Sequence, residues 1–118
     1  MSQPPSDWQI EFFANSSGDS PVLEFINTLT VKERGKIRDH LKLLKEFGVG
    51  LGLPHAKPLS GHKPLWELRP MPHRLIYVAV SGRKFVVLHA FKKEKNKTPK
   101  KDLKVAEKRY QIVKEREG

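Results

Sequence analysis

Apolar side chains recur along this chain with two periods, and the switches between them mark out its elements. Trp8, Ile10 and Phe12 alternate with Gln9 and Glu11, the two-residue period of a short strand. Asn15 to Asp19 (NSSGD) is loop chemistry. Ser20-Pro21 then opens a helix, because serine caps free backbone N–H groups and proline in the first turn forfeits no hydrogen bond. Val22, Leu23, Phe25, Ile26 and Leu29 give that helix one apolar face. A second helix starts at once: Thr30-Val31-Lys32-Glu33 fits a capping box, in which hydroxyl and carboxylate each satisfy a backbone donor. Ile37, Leu41, Leu44 and Phe47 continue its stripe, and Gly48 closes it.

Glycine and proline crowd the stretch from Val49 to Pro64, which predicts no regular structure there. Leu65 to Arg69 (LWELR) reads as a strand, Pro70-Met71-Pro72 as a turn and Arg74 to Val80 as a buried strand. A tight turn at Ser81-Gly82 leads to its partner, Phe85 to Phe91. After the polar loop Lys92 to Lys97, Thr98-Pro99 repeats the cap-plus-proline signature and opens a helix to about Arg116. Leu103, Ala106, Tyr110 and Val113 share its inner face. The order β-α-α-β-β-β-α predicts a single α+β domain over residues 1–118. Its antiparallel-rich sheet carries two N-terminal helices and a C-terminal helix. Residues Met1 to Asp7 (MSQPPSD) are expected to be a frayed start.

Composition narrows the function classes. The longest apolar run, Leu75 to Val80, is six residues, against the ~20 of a bilayer-spanning helix. The first ten residues hold Asp7 and no Lys or Arg, unlike a secretory signal. Without cysteine there are no disulfides, thiolate chemistry or Cys-based zinc sites, and the expected location is cytoplasmic. The net charge is +10. From Arg83 to Gly118 there are 13 basic and 5 acidic residues, so most of the positive field belongs to the last third. That asymmetry points to a polyanion, most simply nucleic acid, with a solvated basic face as the plainer alternative. The last helix lacks the Trp/Phe face of a membrane anchor, so no membrane partner is expected.

Candidate chemistry is cationic. There is no Gly-rich phosphate loop, Gly-x-Ser-x-Gly elbow or His-Glu-x-x-His, and His40, His55, His62, His73 and His89 lack metal-ligand spacing. Neither a metal nor a cofactor is expected. Arg69 and Arg74 flank the Pro70–Pro72 turn, and Lys92 and Lys93 leave the last strand. Antiparallel pairing brings that strand's end beside Arg74, which predicts Arg74, Lys92 and Lys93 within one side chain's reach of each other. Such a cluster is tolerable mainly where an anion is expected. The alternative is that Arg74 pairs with Glu67 across the strands, a surface ion pair of ~1 kcal/mol or less.

Four spaced stretches carry a family resemblance: Trp66-Glu67-Leu68-Arg69-Pro70, Arg74 to Ala79 (RLIYVA), Val87 to Lys93 (VLHAFKK) and Lys97-Thr98-Pro99. Over about residues 8–112 the chain resembles the phage-derived Gp49 or HigB-type branch of the RelE/ParE toxins. The resemblance implies the toxin of a type II toxin–antitoxin pair, a ribosome-dependent mRNA endoribonuclease held off by a cognate helix-turn-helix (HigA-like) antitoxin. In the implied metal-independent chemistry, a ribose 2′-hydroxyl attacks the adjacent phosphate while a base, cations and an acid assist. Three alternatives stay open: a ParE-like DNA gyrase inhibitor, a non-enzymatic RNA-binding module and a decayed prophage relic without activity.

Carried over by position, Arg74 matches the arginine that opens the central strand and implies a phosphate clamp. Lys92 and Lys93 match the basic pair after the last strand, a second transition-state cation, and Arg69 matches the Trp-Glu-Leu-Arg arginine. RelE has two lysines on the strand before the central arginine, where this chain has Leu65 and Glu67, and this chain lacks RelE's tyrosine early in the last helix. The general base therefore stays open between His62 and Glu67, while His89, inside a strand, reads as packed. Trp66, Tyr77 and Phe85 have the spacing of core residues more than of base-stacking platforms. Lys95, Lys97, Lys100, Lys101 and Lys104 form the expected RNA-backbone track. On this reading, Arg74→Ala abolishes growth arrest and keeps the fold.

Overall fold

The computed structural model describes residues 8–94 and 96–117, so the expected frayed start lies outside the described residues. Strand β1 (Gln9–Phe12) leads to helices α1 (Pro21–Asn27) and α2 (Val31–Phe47) and a single 3-10 turn, Gly48–Gly50. Strands β2 (Ala56–Pro58), β3 (Trp66–Leu68), β4 (His73–Val80) and β5 (Lys84–Lys92) follow, and α3 (Lys100–Glu117) ends the chain. Both N-terminal caps form as their chemistry dictates. The Ser20 hydroxyl accepts from the Leu23 N–H, and Thr30 and Glu33 complete the reciprocal box.

The sheet has five strands in the order β1-β5-β4-β3-β2, with β1 parallel to β5 and the other pairs antiparallel. Two details depart from the sequence reading. Strand β2 forms inside the stretch rich in breakers, paired antiparallel with β3 so that Lys57 faces Glu67. Its three residues are too few to show a period, and only pairing makes them a strand. The β4–β5 connection is three residues, since Val80 pairs with Lys84, and Gly82 and Arg83 both have positive φ.

Strand alternation sorts side chains between two cores. Leu68, Leu75, Tyr77, Phe85, Val87 and Ala90 face α1 and α2, where they meet Val22, Ile26, Ile37 and Leu44. Ile76, Val78, Val86, Leu88 and Phe91 face α3 and pack on Ala106 and Val113. The register slips between Ile76 and Tyr77, so Leu88 is the unpaired residue of a bulge. The bulge turns both Leu88 and His89 toward α3. The aromatics read as core are so placed: Tyr77 meets Phe85 edge-on, and Trp8 stacks on Phe85 at 4.4 Å.

That stack explains Gly48. Its backbone (φ 59°, ψ −138°) suits glycine, and any Cβ there would run into the Trp8 indole. Gly48→Ala should lower the unfolding free energy by about 2 kcal/mol or more in urea titrations, through strain and collision together. A variant as stable as the parent would show that Trp8 is free to leave its place.

Candidate functional site

Polar residues collect where the α3 face of the sheet runs out of apolar cover. Glu67 and Arg74 alternate with Leu68 and Leu75, so leucine packing on the helical side sends both charged side chains to the opposite face. The backbone pairing extends past the strand ends: the Arg69 N–H donates to the His55 carbonyl at 2.8 Å, and the Lys93 N–H to that of Pro72 at 2.9 Å. These bonds hold Arg69 and Lys93 in register beside the charged pair.

Arg74 and Glu67 are each 2% exposed. Arg74 Nε lies 3.4 Å from Glu67 Oε1, an ion-pair distance, yet this Nε and that of Arg69 are buried without a hydrogen bond among the described residues. Arg74 Nη1 donates to the His73 carbonyl and the Met71 sulfur, each at 3.0 Å. The Thr98 hydroxyl donates to Glu67 Oε2 at 2.7 Å. Burial pushes the Arg74 guanidinium below its ordinary pKa, with Glu67 opposing and Arg69 adding repulsion. Burial also lowers the Lys93 ammonium. Glu67 opposes that shift, and Arg74, Arg69 and Lys57 reinforce it. Lys93 thus has three cations, Arg74, Arg69 and Lys57, acting on it against the carboxylate of Glu67.

The expected cluster is therefore only partly assembled. Arg74 pairs in register with Phe91, and Lys92 pairs with His73. Lys92 is exposed on the other face, where its electrostatic neighbours are His73 and Glu33, so the predicted meeting of Arg74 with Lys92 does not occur. Lys93 does lie by Arg74. The Arg74–Glu67 pair exists but is buried, not on the surface as anticipated. His62 points elsewhere: its Nδ1 lies 3.0 Å from Glu107 Oε1 on α3. Lys97, Lys100, Lys101 and Lys104 are exposed as a backbone track would need, while Lys95 lies outside the described residues.

Three features escaped the sequence reading. Lys57 lies on a strand with no periodic signal. Thr98, whose position suggests a helix cap, gives its hydroxyl to Glu67 instead. His89 Nε2 and Asp102 Oδ1 are 2.7 Å apart, and Arg109 Nη1 donates to the Leu88 carbonyl at 2.9 Å and lies 3.4 Å from His89 Nδ1. With the guanidinium facing Nδ1, the neutral imidazole carries its proton on Nε2 and donates to Asp102. The packed reading of His89 thus misses that it clamps the start of α3 to the β5 bulge. No group of three or more His, Asp or Glu able to hold a metal exists among the described residues, and none of their helices is long and apolar enough to cross a membrane.

The chain is a mixed sheet with two helices on one face and one on the other. The archaeal RelE–RelB complex from Pyrococcus horikoshii OT3 contains a chain of this fold: TM-score 0.56 at 13% identity, covering 73% of this chain and 94% of that one. At that identity the likeness is one of fold. The family is set by sequence. The model of the phage-derived Gp49-like proteins (DUF891) matches residues 24–111, about three-quarters of the chain, and the chain belongs to that family. No curated protein matches it.

Two expectations follow from the buried charges. Arg74→Ala leaves Glu67 buried without its partner and should cost about 3 kcal/mol of stability, so the variant does not simply keep the fold. Replacing both, as Glu67→Leu with Arg74→Met, should cost less than either single change in the same urea titration. A second concerns pH. Burial lowers the pKa of His40, His73 and His89, with Glu33 opposing for His73 and Asp102 for His89. Unfolded histidines protonate near 6.5, before the folded ones do, so stability held above that pH falls as pH drops through it. The urea midpoint should be lower at pH 5.5 than at 7.5, and an unchanged midpoint would mean that these imidazoles titrate in the native protein as they do in the unfolded chain.

Proposed function

We propose that this protein is the toxin of a type II toxin–antitoxin pair and cleaves mRNA on the ribosome. The observation that carries this reading is the gathering of cations, Lys57, Arg69, Arg74 and Lys93, near the carboxylate of Glu67. A phosphodiester that becomes a dianionic phosphorane is the ligand such a field suits, because its charge grows toward the transition state. In this mechanism the 2′-hydroxyl of the substrate is the nucleophile. Glu67 takes its proton, Lys93 and Arg69 meet the phosphate oxygens, and Arg74 acts from beneath by holding Glu67 in place. The leaving 5′-oxygen is protonated by an acid that this reading does not assign, and His62, turned toward Glu107, takes no part. Lys97, Lys100, Lys101 and Lys104 follow the RNA backbone. A helix-turn-helix antitoxin neutralises the basic face by covering it.

One observation favours a second reading, an RNA-binding module without chemistry: Glu67 is covered, and its carboxylate is shared between Thr98 and Arg74. Cleavage requires Thr98 to release it.

In vitro translation separates the two. Wild-type protein should halt synthesis and leave cut message detectable by primer extension. Lys93→Ala should reduce cutting about tenfold or more while ribosome binding changes less, since its charge matters most as the phosphorane forms. Arrest with intact message would eliminate the nuclease, and equal loss of cutting and binding would make Lys93 a docking residue.

A further inference from the structure

Strand β1 pairs with β5 only over Lys84–Val87, so β5 from residue 88 to its end has a strand neighbour on one side alone. A hollow of about 390 Å³ opens at that edge, between α1 and the start of α3. Its apolar walls are Phe25, Phe91 and Pro99. Its charged groups are two lysines, Lys92 and Lys101, and two carboxylates, Glu94 and Asp102. We propose that this hollow binds a nucleotide, with the base against Phe25 and Phe91 and the phosphate at Lys92, Lys101 and the first turn of α3, and that it prefers bases bearing an exocyclic amino group.

The mixture of wall types selects the ligand. A track for bare polyanion needs no aromatic walls and is weakened by carboxylates, and an apolar ligand has no use for four charged groups. A nucleotide uses all of them: a flat ring for the aromatic walls, an anion for the lysines and N–H donors for the carboxylates. Asp102 is already aligned, because His89 holds its Oδ1 at 2.7 Å. The Thr98 hydroxyl is turned toward Glu67, not the start of α3, where the Asp102 and Leu103 N–H groups donate to the Pro99 carbonyl, so the helix dipole joins the two lysines in attracting phosphate there. The carboxylates supply acceptors only, and the exocyclic amino group of guanine, adenine or cytosine offers them two N–H donors against the lone N3–H of uracil.

The hollow and the cation cluster are separated by the end of β5. Lys92 and Lys93 are consecutive and point to opposite faces, so an RNA strand with one phosphodiester at Lys93 carries its neighbouring nucleotide over that end. To that extent the inference rests on the RNA reading above and names the part of the message that the protein would read. Its test requires no cleavage.

The four nucleoside 5′-monophosphates and inorganic phosphate, each titrated into the whole protein and followed by NMR, decide the matter. GMP, AMP and CMP should shift the ring signals of Phe25 and Phe91 together with the Lys101 amide, and bind roughly 3- to 10-fold tighter than UMP, the worth of one hydrogen bond. Phe25→Leu, which keeps the packing and removes the ring, should weaken all four by about tenfold. Glu94→Ala should shrink the margin over UMP. Ring signals that do not move, or a complete set of shifts produced by inorganic phosphate alone, would overturn the proposal. Equal binding of UMP would overturn its base preference. Nucleotide binding by a protein that leaves message uncut would defeat only the nuclease.

Discussion

Two opposite charges, on Glu67 and Arg74, are withdrawn from water at the foot of the last helix, and the site is arranged around that fact. Moving either ion alone into the interior costs several kcal/mol, and the pair is tolerable only because neighbours satisfy what it lacks. Those neighbours come from scattered parts of the chain. The His73 carbonyl and Met71 sulfur receive the guanidinium, and Thr98 donates to the carboxylate. Strand β3, the turn before β4 and the segment that enters α3 are thereby tied to one point. What surrounds the pair is largely positive, since Arg74, Arg69 and Lys57 all act on Lys93 against the carboxylate of Glu67.

Strand geometry divides labour between neighbours in sequence. His73 and Arg74 are adjacent, as are Lys92 and Lys93, yet in each couple one residue serves the α1 face and the other the α3 face. The sheet end thus presents a cationic cluster on one side and, round the open edge of β5, an aromatic and mixed-charge hollow on the other. The bulge opposite Ile76 adds a third element, because it turns His89 as well as Leu88 toward α3 and lets Asp102 and Arg109 anchor the helix.

Much of the framework was legible because it rests on local chemistry. Ser20 and Thr30 are caps wherever they occur in that context, and the alternating and helical periods assign four strands and three helices to within a few residues. Thr98 shows where local reading fails. Its hydroxyl has two possible acceptors in a folded chain, helix amides or a distant carboxylate, and only packing brings Glu67 close enough to choose. Lys57 fails for a different reason, since a three-residue edge strand has no period to read.

The sequence by itself determined the order of the elements other than β2, the single α+β domain, the concentration of positive charge and the motifs that carry the family likeness, all set by neighbours within a few residues. Tertiary structure alone decided which cations meet. A one-residue step in register moves a side chain to the other face of a sheet. That step separates Lys92 from Arg74, brings Lys57 and Lys93 to Glu67, and buries a pair that composition alone would leave in solvent.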